Sequence, residues 1–303
     1  MATFSKTLSG EKSAVAEPIA PVSWIPVLWF AALLAICYAP VLMFLAKQWA
    51  DSEDMGHGFF VPIVAGFIVW QRRAALAAIK PVVNYWGLVV VVFGALFMVL
   101  GTLGAQIFIA RVAFLISLAG IVLFMGGTQM TKAVAFPLFL LLFMIPIPSM
   151  IYARITLPLQ LFASAVAENI LALLGIPVLR DGNVLELASQ RLSVVEACSG
   201  IRSLLSLSFL SLVYGYFFDR KAWMRWVLLA ATIPIAIAAN ATRVTLTGLI
   251  SEYRTDLAEG FFHTLEGLVL FGVSLALLIA FHQAVNRIYL ARHPQEPAAN
   301  VTA

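Results

Sequence analysis

An all-α polytopic membrane protein is predicted, with about eight transmembrane helices, one interfacial amphipathic helix and a small β-hairpin on the outer side. Three features point there. Of the 303 residues 62% are hydrophobic and only 11% charged, where soluble domains average about 25% charged. Mean hydropathy is +0.97. The apolar residues are gathered into runs that approach the roughly 20 residues needed to cross a hydrocarbon core of about 30 Å. The net charge of +4 does not indicate a nucleic-acid partner, because the basic residues sit in short loops between the runs, as topology determinants do. The lipid bilayer is the partner that the composition implies.

The first run, Trp24 to Ala46, is too long for a secretory h-region of about 7–15 residues and reads as a retained span. Further runs cover 59–70, 86–103, 107–124, 133–151, 157–174, 201–218, 223–250 and 263–281. Basic loops face the cytoplasm, which places Arg72, Arg73 and Lys80, then Lys132, then Arg220, Lys221 and Arg225 inside. Asp51, Glu53 and Asp54 belong outside. This scheme fails if 157–174 also crosses, since "DRKAWMR" would then be exported. Gln160, Ser164 and Glu168 recur at i, i+4 and i+8, a polar stripe that lets this helix lie on the outer surface. Residues 1–23 and 286–303 are then cytoplasmic tails around a single transmembrane domain, 24–285. Asp181-Gly182 is a turn signal, and the apolar residues on either side predict a hairpin leading to Cys198.

This topology brings distant polar residues to one membrane face. Cys198, in "VVEACSGIRS", opens the span 201–218 at its outer end, and the climb from 223 returns Asn240 and Arg243 to the same level. His263 opens the last descent. Arg111 and Arg202 lie near that face too, and an arginine inside a span costs about 2.5–3.5 kcal/mol unless it is paired or lines a cavity.

Each residue has a plain and a chemical reading. Cys198 is either a small boundary residue or a thiolate nucleophile, with Arg202 and a helix N-terminus lowering its pKa and Glu196 opposing them. Arg243 is either paired with Glu168 or Glu259, or donates to a developing oxyanion. Asn240 and Thr247 share its helix face. His263 is either structural or a general acid–base, and His57 in "GHGFFVP" is a rival on the same side. His282 and His293 fall at the cytoplasmic end. No short ligand spacing indicates a metal, and no cofactor is implied. Two other classes fit the residues: a transporter or lipid-linked sugar carrier whose Arg111 and Arg243 bind an anionic head group, and a non-catalytic assembly subunit.

"EACSGIRS", "IPIAIAANATRVTLTG" and "GFFHTLEG" resemble the three signature blocks of the exosortases, and "HGFFVPIVAGFIVW" and "FPLFLLLFMIPIP" resemble that family's N-terminal blocks. The resemblance implies a bacterial inner-membrane cysteine protease or transpeptidase with its site toward the periplasm. It implies a Cys–Arg–His triad on Cys198, Arg243 and His263. It also implies membrane-anchored substrates carrying a C-terminal PEP-CTERM sorting signal, an unidentified surface acceptor and a link to exopolysaccharide.

Overall fold

The computed structural model describes residues 24–194, 200–253 and 261–293. Ten α-helices and a three-stranded sheet lie within them. The helices are α1 (Trp24–Asp51), α2 (Phe60–Gln71), α3 (Arg73–Ala77), α4 (Trp86–Leu103), α5 (Ile107–Ala133), α6 (Ala135–Leu140), α7 (Ser149–Leu173), α8 (Gly200–Phe218), α9 (Ala222–Tyr253) and α10 (Phe261–Arg292). One 3-10 turn, Glu53–Phe59, leads into α2, and another, Leu141–Met144, follows α6. Six helices are long and apolar enough to cross a membrane: α1, α4, α5, α7, α9 and α10. Three shorter apolar stretches, Met55–Gln71, Ala135–Met144 and Arg202–Phe218, accompany them. The fold is that of an all-α polytopic membrane protein. The tails 1–23 and 294–303 lie outside the described residues, and α10 carries the helix past 285 to Arg292.

The bundle has a basic end, marked by Arg72, Lys80 and Arg220–Arg225, and a far end where α1 finishes at Asp51. Where the sequence predicts one run over 133–151, the helix stops at Met144 and Ile145 turns extended (φ −90, ψ 119). Pro146 and Pro148 cause this: each lacks an amide donor and pushes the residue before it out of the helical region. The Trp49 indole N–H donates to the Met144 carbonyl at 2.9 Å, tying the break to the far end of α1. The helix α7 therefore starts at Ser149 rather than near Leu157.

The course of α7 follows from what it touches. Leu159 shares a recess with Ala236 and Asn240, Ala163 and Ala167 share a core with Ala241 and Val244, and Leu171 lies 3.0 Å from where a Cβ on Gly248 would stand. Residue numbers rise together, so α7 runs parallel to the far half of α9. By length and composition α7 is itself one of the helices able to cross, so its lying on the outer surface stays an expectation of the sequence. The five other long helices and the three shorter stretches are the eight segments that the sequence assigns to crossings.

The polar stripe of α7 has a specific partner. The Asn183 amide donates to Gln160 Oε1 at 3.1 Å, the Ser164 hydroxyl to the Gly182 carbonyl at 3.1 Å, and Arg180 Nε to Glu168 Oε2 at 2.7 Å. All three partners opposite α7 belong to one hairpin, Arg180 to its first strand and Gly182 and Asn183 to its turn. The sheet is antiparallel, in the order β1 (Val178–Asp181), β2 (Val184–Leu187), β3 (Arg191–Ser193). The predicted hairpin is thus extended by a third strand. Its turn is Gly182-Asn183, one residue later than the Asp-Gly signal, because Asp181 pairs with Val184 and Gly182 takes the positive φ of 61 that a tight hairpin needs at its first central position.

Three apolar cores organise the rest. One joins α7, the sheet and α9 through Leu171, Leu185, Leu192, Val194, Ala241 and Val244. A second joins α1, α2, α5, α6 and α8, and a third joins α8, α9 and α10 around Leu207, Leu228 and Leu278. The α4–α5 pair is packed through small residues: Gly87, Gly94 and Gly101 face Phe124, Ser117 and Ala110 across the seam. Such close backbone approach replaces the hydrophobic drive that lipid removes.

Inside α5 the helix breaks at Gly127 (φ 70, ψ −171), where the Val82 carbonyl oxygen would stand 2.6 Å from an added Cβ. That conformation is essentially confined to glycine and costs other residues about 1–3 kcal/mol. A Gly127→Ala variant should therefore lose stability of that order, read as a lowered thermal midpoint of the purified protein. An unchanged midpoint would show that the break tolerates a side chain.

Candidate active site

The candidate residues that the structure describes are positioned by three helices. On α9, Asn240 and Thr247 are buried, at 8% and 2% exposure, and flank Arg243 by one turn on each side. The Arg243 guanidinium crosses to α10: its Nη2 lies 3.1 Å, and its Cζ 3.4 Å, from the point a Cβ on Gly267 would occupy. A planar cation seats that close to the α10 backbone because residue 267 has no side chain. His263 is four residues earlier on α10, one helical turn nearer the chain's entry into that helix and on the same face. Its backbone belongs to the described helix, whereas its side chain lies outside the described residues.

Cys198 and Glu196 also lie outside the described residues, but both ends of the segment that contains them are described. On one side, Val194 is fully buried in the core with Ala241 and Val244, the residues that directly follow Asn240 and Arg243. Its amide donates to the Asn183 carbonyl at 3.0 Å. On the other side, Gly200 opens α8, and Leu204, one turn on, shares the recess with Asn240. The sheet and α8 thus hold the two ends of 195–199 against one stretch of α9. Arg202 sits in the first turn of α8.

The remaining residues singled out in the sequence go elsewhere. His57 is in the turn before α2, with its Nδ1 3.3 Å from the Ser206 hydroxyl and its ring 6.4 Å from Phe209. It touches α8 beyond that helix's first turn. Arg111 is 4% exposed, donates from Nη2 to Gln48 Oε1 at 2.6 Å and lies 5.5 Å from the Phe44 ring centroid, so its partners belong to α1. Glu168, one of two carboxylates considered for Arg243, is engaged instead by Arg180. His282 is committed at the basic end, with Nδ1 2.9 Å from the Tyr214 hydroxyl and Nε2 3.0 Å from Asp219 Oδ2. Among the described residues no three His, Cys, Asp or Glu gather as a metal site would require.

Gly267 and Val194 escaped the sequence reading. The spacing of "HTLEG" was the available signal for the first, since it sets Gly267 one turn from His263. Nothing in "LSVVEA" distinguishes the valine that anchors the loop from the one beside it.

Comparison with curated proteins and with solved structures found no match. The sequence pattern of one family, described as transmembrane exosortase, matches residues 49–280. That stretch begins at the far end of α1 and ends within α10, taking in the sheet, α8, α9 and the part of α10 that holds His263 and Gly267. With that match over most of its length, the chain belongs to the transmembrane exosortase family.

Proposed function

We propose that the protein is a membrane-embedded cysteine protease or transpeptidase. It cleaves C-terminal PEP-CTERM-type sorting signals at the periplasmic edge of a bacterial inner membrane, in support of protein sorting to a surface rich in exopolysaccharide. The seating of the Arg243 guanidinium on Gly267, one turn from His263, supports this reading most directly. It joins two members of the proposed triad through α9 and α10, while Val194 and Leu204, on either side of the segment that holds the third, neighbour the same part of α9.

In this reading a substrate's own transmembrane helix packs beside the bundle and presents its motif to Cys198. The thiolate attacks the scissile carbonyl and forms an S–C bond, and Arg243 stabilises the oxyanion. Collapse of the tetrahedral intermediate breaks the C–N bond and leaves a thioester. His263 takes the thiol proton and returns it to the departing amine. An acceptor amine or water then resolves the acyl-enzyme. Asn240 and Thr247 hold the α9 face on which Arg243 lies, and Arg202 and the start of α8 favour the thiolate.

The test is to trap the intermediate. Membranes holding the protein and a substrate with a sorting signal should yield an adduct at Cys198 that mass spectrometry identifies and hydroxylamine releases. Cys37, exposed on α1 within the bilayer, should carry none and should resist a membrane-impermeant maleimide that labels Cys198. An adduct on Cys37 alone, or processing that continues after Cys198 is alkylated, would overturn the proposal.

A further inference from the structure

At the basic end, away from the site, two arginines converge on one aromatic ring. Arg72 closes α2 and Arg225 lies in the first turn of α9, and their Cζ atoms stand 5.1 and 4.8 Å from the Tyr216 ring centroid. Arg225 is also 5.0 Å from the centroid of Phe136, whose ring stacks on Tyr216 at 4.9 Å and 8°. Gly215 makes the approach possible, since a Cβ there would meet the Arg225 Cα at 3.2 Å.

Ring faces attract cations, but they do not neutralise two like charges that share one ring and act on each other. The carboxylate in this corner, Asp219, accepts from the Lys221 amide at 2.7 Å and faces His282 at 3.0 Å, and it acts on Arg225 only at longer range, without an ion-pair contact. Among the described residues no carboxylate pairs with Arg72 or Arg225, and Arg225 Nε is buried with no acceptor. Arg72 is exposed and Arg225 half-buried, so the pair is open to a ligand. Guanidinium forks match the oxygens of a phosphate.

The surroundings indicate where such a phosphate comes from. Trp70, Phe218 and Trp226 are 58%, 67% and 53% exposed around the pair, and Arg73 lies 4.5 Å over the Trp70 ring. Exposed tryptophans beside arginines mark a membrane–water interface. An acyl chain would cover these rings, whereas a free phosphate would leave them bare. We propose that Arg72 and Arg225 form a binding site for the phosphate of an anionic phospholipid, with Tyr216 and Phe136 as its floor. The site stands independently of the proposed catalysis.

The experiment compares the intact protein in detergent by native mass spectrometry after incubation with phosphatidylglycerol, phosphatidylcholine or inorganic phosphate. Phosphatidylglycerol should be retained, and Arg72→Gln and Arg225→Gln should each weaken retention about tenfold, the size expected for losing one charge-assisted hydrogen bond. Arg287→Gln, an exposed arginine on α10 at the same end, should leave retention unchanged. Because Arg72 is exposed, its substitution separates lost binding from lost folding. Equal retention of phosphatidylcholine, equal protection by inorganic phosphate, or undiminished retention in Arg72→Gln would each overturn the proposal.

Discussion

A Cys198→Ala variant should insert normally and process no substrate. The residue lies in a segment whose ends are held by the buried Val194 and by the start of α8. The exchange changes none of the residues that make up the three described apolar cores. Without the thiol, however, no thioester can form, and the stepwise route that divides amide cleavage into two easier reactions is lost. The residual rate should be that of the uncatalysed reaction held in place. Following the C-terminal segment of a tagged substrate on immunoblots of cells, alongside the abundance of the variant in membranes, checks both halves. Cleavage at the normal rate by a well-inserted Cys198→Ala protein would end the cysteine mechanism.

The second large effect concerns the contact between Arg243 and Gly267. Arg243→Gln should lower the rate by about 10²–10³, as loss of an oxyanion donor does. Gly267 provides a test that leaves the arginine in place. A Cβ at 267 would stand 3.1 Å from Nη2, which the end of a flexible side chain can accommodate by moving a few tenths of an ångström. Gly267→Ala should therefore be mild. Gly267→Val adds two methyl groups where the guanidinium lies and should displace it by about an ångström, and a misplacement of that size costs about 10²-fold. Single-turnover rates on a sorting-signal peptide, with membrane insertion verified, separate the two glycine variants. A Gly267→Val protein as fast as the parent would show that the seat of Arg243 is immaterial to catalysis.

The two predictions differ in how far they could be read from the chain alone. Cys198 stands out in the sequence because a thiol between Glu196 and Arg202 at the head of an apolar run is chemically unusual. Gly267 does not, because a glycine near a helix start has many ordinary explanations. The same contrast appears in the fold. The bounds 86–103 and 107 onward were legible because apolar runs bordered by polar turns define helices in a bilayer. The run 133–151 was not: hydropathy records how greasy "IPIP" is, not that its prolines remove the donors a helix needs. The stripe Gln160–Ser164–Glu168 was visible as a stripe, but it suggested water or head groups, and its actual partners are Asn183, Gly182 and Arg180 of the hairpin.

Sequence alone settled the class of the molecule, the number of apolar segments and the presence of polar residues near one end. Those properties follow from composition and from periodicity along the chain, and lipid enforces them locally because every buried amide must be satisfied within its own helix. Tertiary packing decided which polar residues meet. It sent Arg111 to α1, His57 to Ser206 and Arg243 to the bare backbone of α10. Such choices depend on the rotation and spacing of helices distant in sequence, and on a missing side chain at 267, which hydropathy cannot register.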